Sequence, residues 1–498
     1  MPMNRTQPLA IDLSILICLF GVLLCLPLIE WFLDLETKFI VAGLAVAGGA
    51  LITLAVQRDL ERGLFLLLIL SLSVRATANL GPPHPSIASL WEYSWPSWNP
   101  GWIGVTLGVA AVNIFDIPLF CLLLLLLINP CRQRQRFPVR LLAGGLGFVG
   151  AGFLSMANAA VPALSFWGLM ESIKAVLIGF YVVYRTRTKE DLAFAVNAIS
   201  VAMVLQSLVV IAQFFTKSSL GVTFSGIDWA DLVPGTEYIR ASGTFAHPQM
   251  LAMYVSLFAP LMFTLLFAEL GIWARIKRSI VFLLCCVTII FTFARMSWFA
   301  LFMVVSFIAN YLQKFARLPV TRWLKLSFAV AIIIVVSSPL FEVVRENITL
   351  ERPGSELDII AALYDPAFNM ILRHPFIGVG FNNYSYVVNE YDNVGIAEIY
   401  PAPVHNSLLL AFSETGILGF ASFFLMITIP IYVLVKSMKS SDLEIKRYAV
   451  GLLGGLISFC FLIMTSWTYY LIQSQTWLLF GLALSMHRFI LEPNATKV

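Results

Sequence analysis

Charge is what this sequence has least of. Asp, Glu, Lys and Arg make up only 12% of its 498 residues, against 59% hydrophobic, and the mean hydropathy is +0.86. A soluble domain of that length needs far more polar surface, so the composition excludes one. The nucleotide and zinc signatures are missing too. There is no phosphate-binding P-loop, no dinucleotide-binding fingerprint and no His-Glu-x-x-His helix. The seven cysteines (Cys18, Cys25, Cys121, Cys131, Cys285, Cys286 and Cys460) fall in apolar runs or at a basic edge. Their spacing suits neither a disulfide frame nor a metal, and they read as small apolar fillers.

Apolar runs of membrane-spanning length are abundant. Only helices or closed barrels satisfy their backbone in lipid. Leu119 to Ile128 and Ala329 to Val336 show no period-two alternation, which favours helices over barrel strands. The fold class expected is an all-α polytopic membrane protein of about fourteen transmembrane helices. The spans are placed at 11–30, 39–56, 63–80, 103–129, 141–157, 166–184, 192–214, 248–268, 279–294, 296–312, 326–340, 407–435, 448–467 and 470–486. The first lacks a small-residue cleavage pattern and reads as a span, not a signal peptide. Gly144, Gly145, Gly147, Gly150 and Gly152 suit close helix packing in the fifth span.

The few charges arrange themselves by side. Alternate loops carry Arg132, Arg134, Arg136 and Arg140; Arg185, Arg187 and Lys189; Arg275, Lys277 and Arg278; Lys314, Arg317, Arg322 and Lys325; and Lys436, Lys439, Lys446 and Arg447. The positive-inside rule puts these loops and both termini in the cytoplasm, and the net charge of +4 is topological, not a nucleic-acid signal. Three stretches follow: N-terminal helices 1–214, a core 215–435 with long outer loops 215–247 and 341–404, and C-terminal helices 436–498. Long loops in a compact protein are usually functional. The second should be partly helical over Ser355 to Arg373, opened by the capping pattern of Ser355 to Asp358 and interrupted at Pro366. Leu357, Ile360, Leu363 and Ile371 would give it an apolar face to lie on the membrane as a lid.

Three bases stand out on an outer side that has few. They are Arg240, before the eighth span; Arg295, in a short turn between the ninth and tenth; and His405, which opens Pro403 to Phe420. At headgroup depth a guanidinium fork suits a phosphate or diphosphate, and an imidazole suits proton transfer. The competing reading is snorkelling, or pairing with Glu237 or Glu414. Neither outer loop holds an Asp-x-Asp motif for a metal. Trp91, Trp95, Trp98 and Trp102 read as an interfacial belt, with a sugar platform as the alternative. Glu171 and Lys174 are at helical spacing and should pair. Asp116 stands alone and could hold a partner helix or line a cavity. His84, His247 and His374 each adjoin a proline and read as turn or positioning residues.

Three motifs carry a resemblance: Arg-x-Ser-Gly-Thr-Phe-x-His-Pro at 240–248, His-Pro-x-x-Gly-Val-Gly-x-x-x-Tyr at 374–384, and His-Asn-x-x-Leu with Glu-x-Gly-x-x-Gly at 405–419. In this order they resemble the O-antigen ligase and O-antigen polymerase superfamily of bacterial envelope glycosyltransferases. The resemblance covers about Arg240 to Phe420; the first half matches in hydropathy alone. It implies a multi-pass inner-membrane enzyme, active at the periplasmic face, that moves a glycan from undecaprenyl diphosphate to a hydroxyl acceptor. Arg240, Arg295 and His405 match the family's essential residues, although Ala294 precedes Arg295 where the family commonly has serine. His247, Asn406, Glu414, Arg352 and Arg373 are expected to contact substrate. No cofactor or metal is expected, since the two arginines would meet the leaving-group charge. Partners would be the lipid-linked donor, a glycan or lipid A core acceptor, the bilayer and a chain-length regulator. Polymerase is the favoured activity, ligase the alternative, and a secondary transporter of the bicarbonate-linked kind the second alternative. A carrier would more often keep its ionisable groups at mid-membrane.

Overall fold

A computed structural model describes residues 59–74, 77–79, 111–128, 138–220, 239–268, 271–313, 360–399, 402–467 and 472–491. The expected spans at 11–30, 39–56 and 326–340 lie outside these residues. So do Arg352, Glu237, His84, the four-tryptophan segment, the capping pattern at 355–358 and the basic loop around Lys314 to Lys325.

The described chain is helical. Its principal helices are α1 (Leu60–Leu72), α2 (Asp116–Ile128), α3 (Ala143–Ser155), α4 (Pro162–Arg185), α5 (Lys189–Thr216), α6 (Pro248–Thr264), α7 (Ile272–Phe291), α8 (Arg295–Leu312), α9 (Tyr364–Arg373), α10 (Ser407–Ser437), α11 (Leu443–Ile463) and α12 (Gln473–Ser485). Among the described residues, seven are long and apolar enough to cross a membrane. These are α3 and α6 with their flanking short turns, and α4, α5, α8, α10 and α11. The expected span at 279–294 forms α7, but Arg275, Lys277 and Arg278 fill its opening turns and keep it out of the seven.

Local signals set the boundaries. Thr188 and Asp191 form a reciprocal capping box at the start of α5, and the carboxylate of Asp442 accepts the first N–H groups of α11. Small residues then allow close packing. A Cβ on Gly144 of α3 would lie 2.3 Å from the Met426 backbone of α10. One on Gly455 of α11 would lie 2.1 Å from the Leu257 carbonyl of α6. Gly145 and Gly179 seat Trp477 of α12. Within the expected packing run, Gly144, Gly145, Gly147 and Gly152 meet neighbours, whereas Gly150 faces open space.

The expected spans at 63–80 and 103–129 take a different form. Their described parts hold half-length helices of 13 residues: α1 begins before the first span and ends inside it, and α2 lies within the second. Between them lies a short antiparallel pair, β1 (Thr77–Asn79) with β2 (Ala111–Asn113), in register Ala78 opposite Val112. Side chains stop α1: Ser71 and Ser73 hydroxyls bond back to Leu68 and Leu70 carbonyls. Gln475 and Gln206 amides then cap the freed Leu72 and Ser73 carbonyls at 2.8 and 2.5 Å. Asp116 opens α2 and accepts the Asn113 N–H at 2.8 Å. Nor does Asp116 stand alone. Lys174 bonds it at 2.8 Å and reaches Glu171 at 2.6 Å, which confirms the expected Glu171–Lys174 pair and extends it to a triad.

The bundle has two chemically distinct ends. At one, Lys189 pairs with Asp442, Arg185 with Glu61 and Asp191, and Arg278 and Glu444 both lie near Tyr448. His487 belongs there too; its imidazole is pushed down by burial and then by Arg140, Lys436 and Arg488. Among the described residues, three of the five basic clusters and Arg140 of a fourth therefore gather at one end, as the alternating pattern requires. The histidine and arginine motifs occupy the other.

Candidate functional site

The two arginines meet at one turn. α7 ends at Phe291 and α8 begins at Arg295, and Thr292 to Ala294 form the tight link, with Phe293 at φ +52°. The Thr292 hydroxyl donates to the Ile289 carbonyl at 2.7 Å and accepts from the Ala294 N–H at 3.3 Å. Segment 239–248 lies against this turn. The Ala241 N–H donates to the Phe291 carbonyl at 3.0 Å, and Arg240 Nε to the Thr292 carbonyl at 3.2 Å. Arg240 is therefore braced on backbone three residues before Arg295. Arg240 is half-buried and Arg295 exposed. Phe214 of α5 stacks on Phe291 at 4.0 Å and secures the turn from behind.

The rest of the motif is a fixed loop. Gly243 takes φ +60°, and a Cβ there would meet Gln206. Gln213 accepts its N–H and donates to its carbonyl, both at 2.8 Å, while Gln206 donates to the Thr244 hydroxyl. Sequence reasoning passed over these glutamines. Their signal is a spacing of seven in an apolar helix, two turns apart on one face. His247 closes the motif as the N-cap of α6, with Pro248 at the first helical position. Its Nδ1 accepts the Gln249 N–H at 3.1 Å. Burial, and then the Arg240 charge, push this imidazole down to about 3. His247 is therefore neutral near pH 7, and the hydrogen assigned to Nε2 makes that atom a donor. In the structure it caps the start of α6.

The second and third motifs form one junction. α10 is broken at Gly416, whose φ of 63° and ψ of −164° are open only to glycine. Loop 374–380 crosses the break. Val379 and Gly380 N–H groups donate to the Ser413 and Glu414 carbonyls at 2.9 and 3.1 Å, and the Ile417 N–H donates to the Pro375 carbonyl at 2.8 Å. These bonds replace the helical ones lost at the break. The backbones are so close that a Cβ on Gly416 would lie 2.2 Å from the Phe376 carbonyl carbon, and one on Gly378 2.3 Å from that of Glu414. The loop continues onto α4. Asn383, fully buried, accepts the Val161 N–H at 2.8 Å and donates to the Ser165 hydroxyl at 2.9 Å.

The candidate residues thus fall into distinct places. Asn406 caps α10, its Oδ1 accepting the Leu408 and Leu409 N–H groups. His405, just before it, is half-buried. Ser407 binds the Ser466 carbonyl through both its N–H and its hydroxyl, tying the start of α10 to the far end of α11. There Phe461 of α11 packs on Phe299 of α8, one turn after Arg295, with ring centroids 5.4 Å apart. His405, Arg240, His247 and Arg295 therefore share one end of the bundle. Glu414 is 3% exposed and accepts the Tyr384 N–H at 3.2 Å, holding the glycine loop. Arg373 is exposed at the last turn of α9, its guanidinium over the Tyr391 ring. His374 also bonds Tyr391, at 2.8 Å, in the positioning role expected of it.

The expected interruption is present: helical turns at 360–362 stop at Leu363, and α9 starts afresh at Tyr364 with Pro366 in its first turn, where a missing N–H costs nothing. Leu363, Ala367 and Met370 are buried toward the protein, and Ser413 of α10 donates to the Ala367 carbonyl. Phe368, Leu372 and Phe376, four residues apart, are exposed.

No curated protein matches the chain. Residues 280–424 match a family described as O-Antigen ligase. The matched segment begins beyond Arg240 but contains the Arg295 turn, the glycine loop and the His-Asn start of α10. Residues 280–424 therefore match an O-antigen ligase family segment, which supports the resemblance to the ligase and polymerase superfamily.

Proposed function

We propose that this chain transfers a glycan from a lipid diphosphate to a hydroxyl acceptor at the outer face of the inner membrane, as a polysaccharide or O-antigen polymerase. The observation that carries the reading is the arginine turn. Arg240 is braced on the backbone of the link that ends in Arg295, at the bundle end shared with His405. In the reaction, the acceptor oxygen attacks the anomeric carbon while the bond from that carbon to the diphosphate oxygen breaks. The bonding pair leaves on the diphosphate, and inversion follows from the single displacement. Arg240 and Arg295 meet the developing charge with fixed forks. His405 orients the acceptor hydroxyl and accepts its proton. Asn406 holds His405 through the cap of α10, and Arg373, Arg352, Glu414 and His247 are the further residues assigned to substrate by the resemblance. The donor is undecaprenyl diphosphate-linked, and transfer to lipid A core is the alternative acceptor use. Donor binding and turnover, measured separately with purified enzyme, test the reading. Arg240→Ala and Arg295→Ala should each lower transfer on the order of 100-fold, as loss of one charge-stabilising donor does elsewhere. Normal donor affinity in the double variant refutes the clamp.

A second reading is secondary transport, favoured by one specific observation. Lys174 lies eleven residues before Arg185 on α4, about 16 Å along the helix and near the middle of a ~30 Å hydrocarbon core. The triad with Asp116 and Glu171 therefore stands where carriers keep their ionisable groups, beside the half-length helices α1 and α2. Uptake by reconstituted vesicles without any lipid-linked glycan would favour transport over transfer.

A further inference from the structure

A cavity of about 300 Å³ opens at the basic end of the bundle, far from the arginine turn. It lies where α1 begins, α4 ends and α5 begins. Three arginines line it, along with three carboxylates, and their pairing is uneven. Arg185 holds two of the acids: its Nε is 3.5 Å from Glu61, and its Nη1 contacts Asp191. Glu61 also accepts the Tyr181 hydroxyl at 3.1 Å, and Asp191 accepts the Arg187 and Thr188 N–H groups. These carboxylates are occupied, Arg185 offsets part of their charge, and the six charged side chains of the lining sum to zero. The third, Asp59, is only loosely paired with Arg62, at 3.7 Å.

The remaining donors point to a ligand. The Arg187 guanidinium stacks on the Tyr184 ring, 4.5 Å from its centroid, and its Nε donates to the Tyr184 carbonyl. Among the described residues it has no carboxylate partner. Stacking fixes the plane of the guanidinium and leaves its outer N–H groups available. The Tyr184 residue is 9% exposed, and its hydroxyl is buried with no hydrogen-bond partner among the described residues. An unmet buried hydroxyl beside an unpaired guanidinium, in a cavity wide enough for a small anion, is costly unless something fills it.

We propose that this pocket binds a phosphate group, through the forks of Arg187 and Arg62 and the hydroxyl of Tyr184. Two sources carry that chemistry at this end of the bundle: the headgroup of a cytoplasmic-leaflet phospholipid, or a soluble phosphate ester. Basic pockets between helices at that leaflet suit the first. The inference stands apart from the transfer reading, since none of these residues belongs to the proposed catalytic set.

The test uses the full chain. In phosphatidylcholine nanodiscs doped with phosphatidylglycerol, lipid retained after detergent extraction is counted by native mass spectrometry. In detergent without phospholipid, binding of inorganic phosphate is measured by calorimetry. Arg187→Ala should weaken whichever binding occurs by about tenfold to a hundredfold, as expected for a charged hydrogen bond. Tyr184→Phe keeps the ring beneath Arg187 and loses only the hydroxyl, so it should weaken binding several-fold without unfolding the bundle. Retained phosphatidylglycerol that both variants lose identifies a lipid headgroup. Phosphate binding in detergent that both variants lose, without retained lipid, identifies a soluble ester. Equal retention and equal phosphate binding in wild type and both variants overturns the proposal.

Discussion

Replacing Gly416 by alanine should damage this protein more than its size suggests. The added methyl would lie 2.2 Å from the Phe376 carbonyl carbon and 2.3 Å from its oxygen, and both are backbone atoms that cannot swing aside. The backbone conformation itself costs a non-glycine residue about 1–3 kcal/mol. Relief requires the loop to lift, which breaks bonds among Val379–Ser413, Gly380–Glu414 and Ile417–Pro375. Each buried group left unpaired costs about 1–3 kcal/mol. Strain with one or two lost bonds gives a destabilisation on the order of 4 kcal/mol. In detergent this should appear as a fall of roughly 5–10 °C in apparent unfolding temperature. Gly150→Ala is the internal control. Its Cβ meets nothing within 4 Å, and alanine favours the helix, so stability should hold or rise by up to about 1 kcal/mol. Wild-type stability in Gly416→Ala, measured alongside that control, would refute the claim that the loop and the helix break depend on each other.

Five further outcomes are expected. Lysine at position 240 should restore only part of the transfer lost in Arg240→Ala, because it keeps the charge but not the bond to the Thr292 carbonyl; His405→Ala should lose most turnover yet bind donor normally. Transfer by purified enzyme should survive EDTA, and loss on chelation with recovery on adding magnesium would count against the arginine clamp. His247, held at about 3 when folded against about 6.5 unfolded, contributes stability that is complete above pH 6.5 and is lost as pH falls toward 3, by up to about 1.4 kcal/mol per unit. His247→Asn keeps the cap and should flatten that dependence in thermal melts. In sealed spheroplasts, an impermeant thiol reagent should label Asn393→Cys and spare Lys439→Cys, both at exposed positions; the reverse pattern would invert the topology.

Much of this was legible because lipid leaves few options. A run such as Pro248 to Thr264 has one way to satisfy its backbone, so its helix follows from composition. The Glu171–Lys174 pair follows from spacing alone. The half-length helices were not legible from hydropathy, since Ser71, Ser73 and Asn113 are too few to lower an apolar average. The start of α2 did leave a local sign, Asp116 followed by Pro118, an acid and a proline in a first turn. Segment 374–384 read as a motif, but its task did not. Gly378 is required by the Glu414 carbonyl of α10 and Gly380 by the close approach of Ala159, and no local pattern carries those distances. Arg240 and Arg295 could be placed at one depth from topology; their common turn needed coordinates.

Gly416 also acts as a measuring mark. It divides the 31 residues of α10 into a nine-residue opening piece and a final stretch of 21. At 1.5 Å per residue the final stretch is about 31 Å long, close to the thickness of a hydrocarbon core, while the unbroken helix would overshoot it by about 15 Å. The opening piece is thereby freed from the bilayer's direction and can hold His405 at a fixed height. Insertion or deletion of one residue between His405 and Gly416 would turn the imidazole by about 100° and shift it about 1.5 Å, with the anchored stretch unmoved. The reach of the proposed base is thus set by a count of residues, which changes of side chain alone cannot adjust.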